Sequence, residues 1–182
     1  MFQNIFATGL VAVAVFGASI QTADALAANC PGGSASPIKA SRGEITRATL
    51  CLVNSERAGQ GLRPLRMNRR LSVAARGHSR DMVRRHYFEH TSPDGSTVVE
   101  RIRATGYLNS AHRWLVGENI GWGERSNGTA RGIVQAWMHS PPHREAILTP
   151  SFRDAGIGVV KGAPTPATSG CATFTLDLGV QH

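Results

Sequence analysis

The chain has 182 residues and a formal net charge of +8, and its 20 basic side chains include only two lysines. That length supports one domain around one core rather than several. The positive balance suits acidic wall polymers or anionic lipid, while the absence of aromatics interleaved with the arginines leaves nucleic acid unexpected as a partner.

The first segment is not expected to belong to the fold. Residues 5–20 are apolar and uncharged, and Ala25-Leu26-Ala27 follows as a small-x-small cleavage pattern. This predicts a secretory signal peptide over 1–27, cut after about Ala27. The run is too short and too rich in Gly and Ala for a membrane span, so none is expected after cleavage and the protein is placed outside the cell. Losing the leader removes Asp24, its one charged side chain, and raises the net charge to +9. Export permits a disulfide. Cys30–Cys51 is the expected pair, tying an N-terminal arm to the first helix, with Cys171 left in a strand. No two cysteines are spaced as in a zinc knuckle or a redox motif.

Residues 28–43, rich in Pro, Gly, Ser and Ala, read as that arm, and 44–182 as the domain. A helix runs from Glu44 to Gly59, with Ile45, Ala48, Thr49, Leu52 and Val53 on one face. Leu62 and Leu65 pack down from an extended connector. Asn68 caps a second helix, whose inward stripe holds Leu71, Ala74, Ala75, His78 and Met82. It ends near His86 and delivers residues 87–95 (YFEHTSPDG), which close in a Ser-Pro-Asp-Gly turn. Tyr87 and Phe88 are expected as packing anchors, with His90 reaching into a cleft. A short helix fits 97–105, with Gly106 as its stop. In 114–123, Val116, Glu118, Ile120 and Trp122 alternate with glycines and Asn119. This is an extended segment in which Glu118 shares a side with apolar neighbours and needs a partner. A helix over 128–138 is interrupted by Ser140-Pro141-Pro142 and resumes at His143. Two strands close the chain, 155–161 and 171–178. Helices mixed with short strands, without βαβ regularity, predict α+β, a small antiparallel sheet covered by helices.

The chemistry rests on His78, His90, His143, Glu118, Asp94 and Glu100. Two histidines and a carboxylate can bind Zn²⁺ with an open position, form a proton-transfer cluster, or floor a polar pocket, and their spacing does not choose among these. His139 and His143 are four apart, but the prolines between them break the helix, and no H-E-x-x-H occurs. There is no G-x-S-x-G and no cysteine set as a nucleophile, so acyl transfer has no support.

Several motifs occur in order: His78-Ser with Asp81-Met82; Tyr87-Phe-x-His90-Thr-Ser-Pro-Asp-Gly; Gly117-Glu-Asn-Ile-Gly; and Trp137-Met-x-Ser-Pro-x-His143-Arg-x-x-Ile-Leu, followed by Phe152 and Gly156-Ile-Gly-Val. Over residues 48–179 the chain resembles the bacterial secreted branch of the CAP superfamily of cysteine-rich secretory, antigen 5 and pathogenesis-related proteins. The resemblance implies an α-β-α sandwich with a cleft lined by two histidines and two acidic residues, at which some members bind Zn²⁺. It assigns His90 and His143 as the histidines, and as the metal ligands where Zn²⁺ is bound, and Glu118 as one acid. Glu100, ahead of Asp94, is the candidate for the other. It implies a module that binds a cell-envelope component, a lipid or a small ligand, with a metal-assisted hydrolase as the alternative. The cysteine-rich hinge of many eukaryotic members has no counterpart here.

Overall fold

The structure is a computed structural model that describes residues 27–165 and 170–182. Apart from Ala27, the expected leader lies outside the described residues. So does the centre of the loop between the last two strands.

Helix α1, Arg42–Gly59, starts where the Ser41 hydroxyl accepts the Glu44 amide at 3.2 Å. It buries the expected face. The arm ahead of it is held by a Cys30–Cys51 disulfide and by Arg131, whose guanidinium donates to the Ala27 carbonyl at 3.0 Å. Helix α2, Arg69–Arg85, is capped by the Asn68 side chain, which accepts from the Arg70 and Leu71 amides. His86 ends it in the left-handed conformation, with φ 56°. Helix α3, Val98–Ala104, opens with a capping box between Thr97 and Glu100. A 3₁₀ turn, Arg125–Gly128, leads into α4, Ala130–His139. Helix α5, Pro141–Leu148, follows after Ser140 alone. The two prolines that break α4 begin α5, since first-turn positions need no intrahelical amide.

Four strands form one sheet: β1 Arg66–Met67, β2 Trp114–Glu124, β3 Asp154–Lys161 and β4 Cys171–Gln181, in the order β1-β3-β4-β2. The β2–β4 and β3–β4 pairs are antiparallel as expected. The two-residue β1 adds a parallel pair with β3 at one edge, which the short 62–65 connector did not suggest.

The sheet separates two layers of helices, and strand alternation decides what each face offers. Ala155, Ile157 and Val159 of β3, with Ala172, Phe174, Leu176 and Leu178 of β4, meet α1 and α4 in the main core. The other face of β3 has Gly156 and Gly158, where the α2 backbone lies directly on the sheet. Beyond α2, Leu71, Ala74, Ile102, Tyr107 and Leu108 form a smaller cluster under α3. The chain is thus an α-β-α sandwich. Thr173, Thr175 and Asp177 of β4, all buried, point to the α2 side. That polar strip lies buried next to Glu118 on β2.

Candidate functional site

Glu118 is the centre of the arrangement. Its side chain is 2% exposed, on the α2-facing side of edge strand β2. Three groups converge on it. His90 Nδ1 lies 2.9 Å from Oε1. Arg101 Nη2 donates to Oε2 at 2.8 Å and to Oε1 at 3.1 Å. His78 Nε2, buried in α2, is 3.8 Å from Oε1 but donates at 3.0 Å to the Glu89 carbonyl. Burial holds His78 below the ordinary histidine value despite the Glu118 charge.

Burial alone would raise the Glu118 pKa. The hydrogen bond with His90, the charges of His78 and Arg101, and the Arg101 bond outweigh it and hold the carboxyl below its usual range. Asp177 stands directly across from Glu118 in the β2–β4 register. It is 1% exposed, and its Oδ1 has no hydrogen-bond partner. Burial, then the charge and hydrogen bond of Glu118, push its pKa well up. Since Arg101 and His90 sit on Glu118, the negative charge belongs to Glu118 and the proton to Asp177.

The loop over 87–96 is fixed by the same arginine. Arg101 Nη1 donates to the Ser96 carbonyl at 2.7 Å, and Nη2 to the His90 carbonyl at 2.9 Å. The turn closes with Gly95 N donating to the Ser92 carbonyl and Ser92 N to that of Ser96. Arg101 therefore places both His90 and the carboxylate that orients it.

His143 arrives from α5. Trp137 Nε1 donates to the Ile120 carbonyl at 2.9 Å, and Asn119 Nδ2 to the His143 carbonyl at 3.0 Å. These bonds hold α4 and α5 against β2. His143 Nδ1 lies 2.8 Å from the Ser140 hydroxyl. Burial first, then the proximity of His90, lowers its pKa. Beside it runs a mostly apolar groove of about 240 Å³, lined by Phe88, Ile120, Trp122, Ile133, Trp137 and His143 among others. Phe88, expected to be packed away, is 36% exposed on this groove. A larger depression of about 710 Å³ lies by α5 between Met138 and Pro150 and includes none of these site residues.

Glu100 requires a correction. Its carboxylate accepts from the Thr97 amide at 2.8 Å and the Thr97 hydroxyl at 2.9 Å. It completes the capping box and is not among the groups on Glu118. Asp94 likewise accepts from the Ser96 amide. One residue beyond Glu100, about 100° further round the helix, Arg101 takes the position in the cleft where an acid was expected. Arg101 and Asp177 are the members that sequence reasoning missed. Asp177 had a legible signal, as the lone acid in the buried run Thr173-Phe-Thr-Leu-Asp-Leu178.

His90 and His143 each engage Nδ1, leaving both Nε2 edges for an outside ligand, as in sites where outer partners orient metal-binding imidazoles. Two imidazoles are short of the three protein ligands of a catalytic zinc. Glu118 does not supply the third, because Arg101 and His90 occupy its oxygens. Among the described residues, no three His, Cys, Asp or Glu side chains converge to hold a metal. The residues present do not fit a three-ligand zinc centre.

Comparison with known proteins agrees with this architecture. The chain is 38% identical over 110 residues to the uncharacterized protein YkwD of Bacillus subtilis, a match spanning 60% of this chain and 40% of that one. It is 31% identical to the uncharacterized membrane protein YlbC of the same organism, spanning 60% and 30%. It thus spans well under half of either relative. A crystal structure of an extracellular protein with an SCP domain from Bacillus anthracis superposes with a TM-score of 0.60 at 24% identity, over 76% of this chain and 43% of that one. An outer surface protein of Borrelia burgdorferi does so with 0.65 at 21%, over 79% and 97%. These two share the fold. No helix among the described residues is long and apolar enough to cross a membrane. A model of the cysteine-rich secretory protein family, CAP, matches residues 50–176, and the chain belongs to that family.

Proposed function

We propose that this CAP domain is an exported binding module, whose cleft takes a ligand of the cell envelope without turning it over. The observation that carries this reading is the state of Glu118: both oxygens are committed to Arg101 and His90. The carboxylate organises the cleft and is neither a free base nor a metal ligand. What remains open to a ligand is the pair of Nε2 edges and the groove under Phe88 and Trp122. Such a seat suits an amphipathic ligand, with its apolar part in the groove and an acceptor at the imidazoles. The leader-like segment supports export, as do the extracellular and outer-surface settings named for the solved relatives.

The test is retention of the purified protein on washed bacterial envelopes. His90→Ala/His143→Ala and Phe88→Ala/Trp122→Ala are each expected to weaken retention by about tenfold or more, roughly 1.4 kcal/mol. Wild-type retention should persist at about 0.5 M salt, where exposed charges are screened. Unchanged retention in both variants removes the cleft from consideration. The metal-assisted hydrolase remains the competing reading. Turnover of a peptide library that disappears in Glu118→Gln would establish it in place of ours. Calorimetric Zn²⁺ titration should give equal heats for wild type and the double-histidine variant, and excess heat in wild type would place the metal on the imidazoles.

A further inference from the structure

The solvent face of α2 is a second feature that the fold does not use. Around a helix of 3.6 residues per turn, Arg69, Arg76, Arg80 and Arg84, with Arg70 at the margin, fall within a sector of about 120°. They extend over roughly 22 Å of helix length at about 1.5 Å per residue. Arg76 is partly exposed and the other four are exposed. Among the described residues, Arg69, Arg76 and Arg80 have no ion-pair or hydrogen-bond partner. The one acid of α2 is Asp81 at the edge of the sector, where it receives the Tyr87 hydroxyl at 2.7 Å and lies 3.4 Å from Arg84 and 3.6 Å from Arg85.

Arg76–Arg80 and Arg80–Arg84 are like-charge pairs four apart, each costing a helix about 0.2–0.5 kcal/mol. Asp81 relieves part of the charge of Arg84, but among the described residues nothing pairs with Arg76 or Arg80, and a polyanion would. We infer that the arginine row of α2 is a docking surface for a linear phosphate-bearing polymer. Three features favour this occupant. The charges form a single row on a convex ridge, which a flexible chain can follow. The guanidinium fork takes phosphate oxygens two at a time, which lysine does not. Val73 is the only large apolar side chain exposed in the sector, leaving little to insert into a bilayer. This surface is distinct from the cleft, because α2 turns His78 toward Glu118 and the row away from the sheet.

The experiment measures binding of the purified protein to short-chain inorganic polyphosphate across a salt series. Arg69→Gln/Arg76→Gln/Arg80→Gln is compared with Arg42→Gln/Arg113→Gln/Arg125→Gln, a charge-matched control at exposed positions off the row. Glutamine keeps good helix propensity, and circular dichroism checks folding. The row variant is expected to lose at least about tenfold in affinity and to flatten the log–log salt slope by about 2, or ~0.7 per lost phosphate contact. The control should change far less. Equal loss in both variants reduces the effect to net charge and overturns the proposal. So does stronger row-dependent binding to vesicles of roughly one-third phosphatidylglycerol in phosphatidylcholine, which would make the surface a membrane contact. His90→Ala/His143→Ala should leave polyphosphate binding intact, so failure here and failure of the cleft reading are separately visible.

Discussion

At the scale of single residues, the cleft is decided by which of two facing carboxyls carries the charge. Glu118 has the donors and Asp177 has the burial, so Asp177 keeps its proton. A carboxyl whose folded pKa is raised makes the native state hold an extra proton at pH values between the unfolded pKa, about 3.9, and the folded one. Stability then falls as pH rises through that window. Asp177→Asn, which matches the neutral acid in shape, should be neutral or stabilising by about 1 kcal/mol at pH 7, with the difference shrinking toward pH 4. Urea midpoints of both proteins across that range check the sign. A loss beyond about 2 kcal/mol at pH 7 would mean that Asp177 is ionised and paired. The same pair shows what was legible in the sequence. His90, Glu118 and His143 lie in recognisable motifs, and the structure brings His90 onto Glu118, with His143 close enough to His90 for its charge to be felt. Glu100 stands ahead of Asp94 as the second acid because Asp94 has a use in the turn, although Thr97-x-x-Glu100 already spells a capping box. Arg101 carries no such signal, since a cation is not among the residue types that hold a metal.

At the scale of elements, the Asn68 cap, the apolar stripes of α1 and α2 and the Gly106 stop locate α1, α2 and α3 to within about two residues, because these signals are local. Contacts between elements were not so readable. Arg57 is fully buried, and its guanidinium donates to the carbonyls of Ile147 at 2.6 Å, Thr149 at 3.0 Å and Arg63 at 3.0 Å. It satisfies the last carbonyls of α5 and complements the negative end of that helix. No periodicity in α1 reveals this, since its α5 partners lie 90 and 92 residues away. The contact between α2 and β3 has the same character. The alternation Gly156-Ile-Gly-Val reads as a strand, but the reason for its glycines appears only in three dimensions. A Cβ at Gly158 would fall within the backbone of Ala75 and Arg76. Because backbone cannot move aside as a flexible side chain can, Gly158→Ala must lift α2 off the sheet. We expect destabilisation at or above the usual overpacking range of about 1–3 kcal/mol. His78 and Ser79 would shift with the helix, and the His90 imidazole resonances should move in NMR spectra. A variant with wild-type stability and unchanged resonances would show that α2 tolerates the displacement.

At the scale of the whole molecule, the sandwich joins two layers through one sheet, and the arm before α1 is fastened by few contacts. Arg131 reaches back to the Ala27 carbonyl, and its amide donates to that of Gly33 at 2.8 Å, but the covalent tie is Cys30–Cys51. Cys30 is itself buried in the main core beside Leu52, so the link also closes that end of the sandwich. The two cysteines are 21 residues apart. Closing a loop of that size in the unfolded chain stabilises the fold by about 3 kcal/mol in the chain-entropy model. For a domain near 150 residues each kcal/mol corresponds to roughly 2–4 °C in melting temperature. Cys30→Ser/Cys51→Ser should therefore melt on the order of 10 °C lower. A thiol count in denaturant should find one reactive group, Cys171, in the oxidised wild-type protein and three after reduction. Because the link is remote from Glu118, the double-serine variant should still bind envelopes at temperatures where it stays folded. A drop under about 2 °C would mean that the arm is held by Arg131 and the core alone. Loss of envelope binding in the folded variant would show instead that the arm transmits its order through α1 to the cleft.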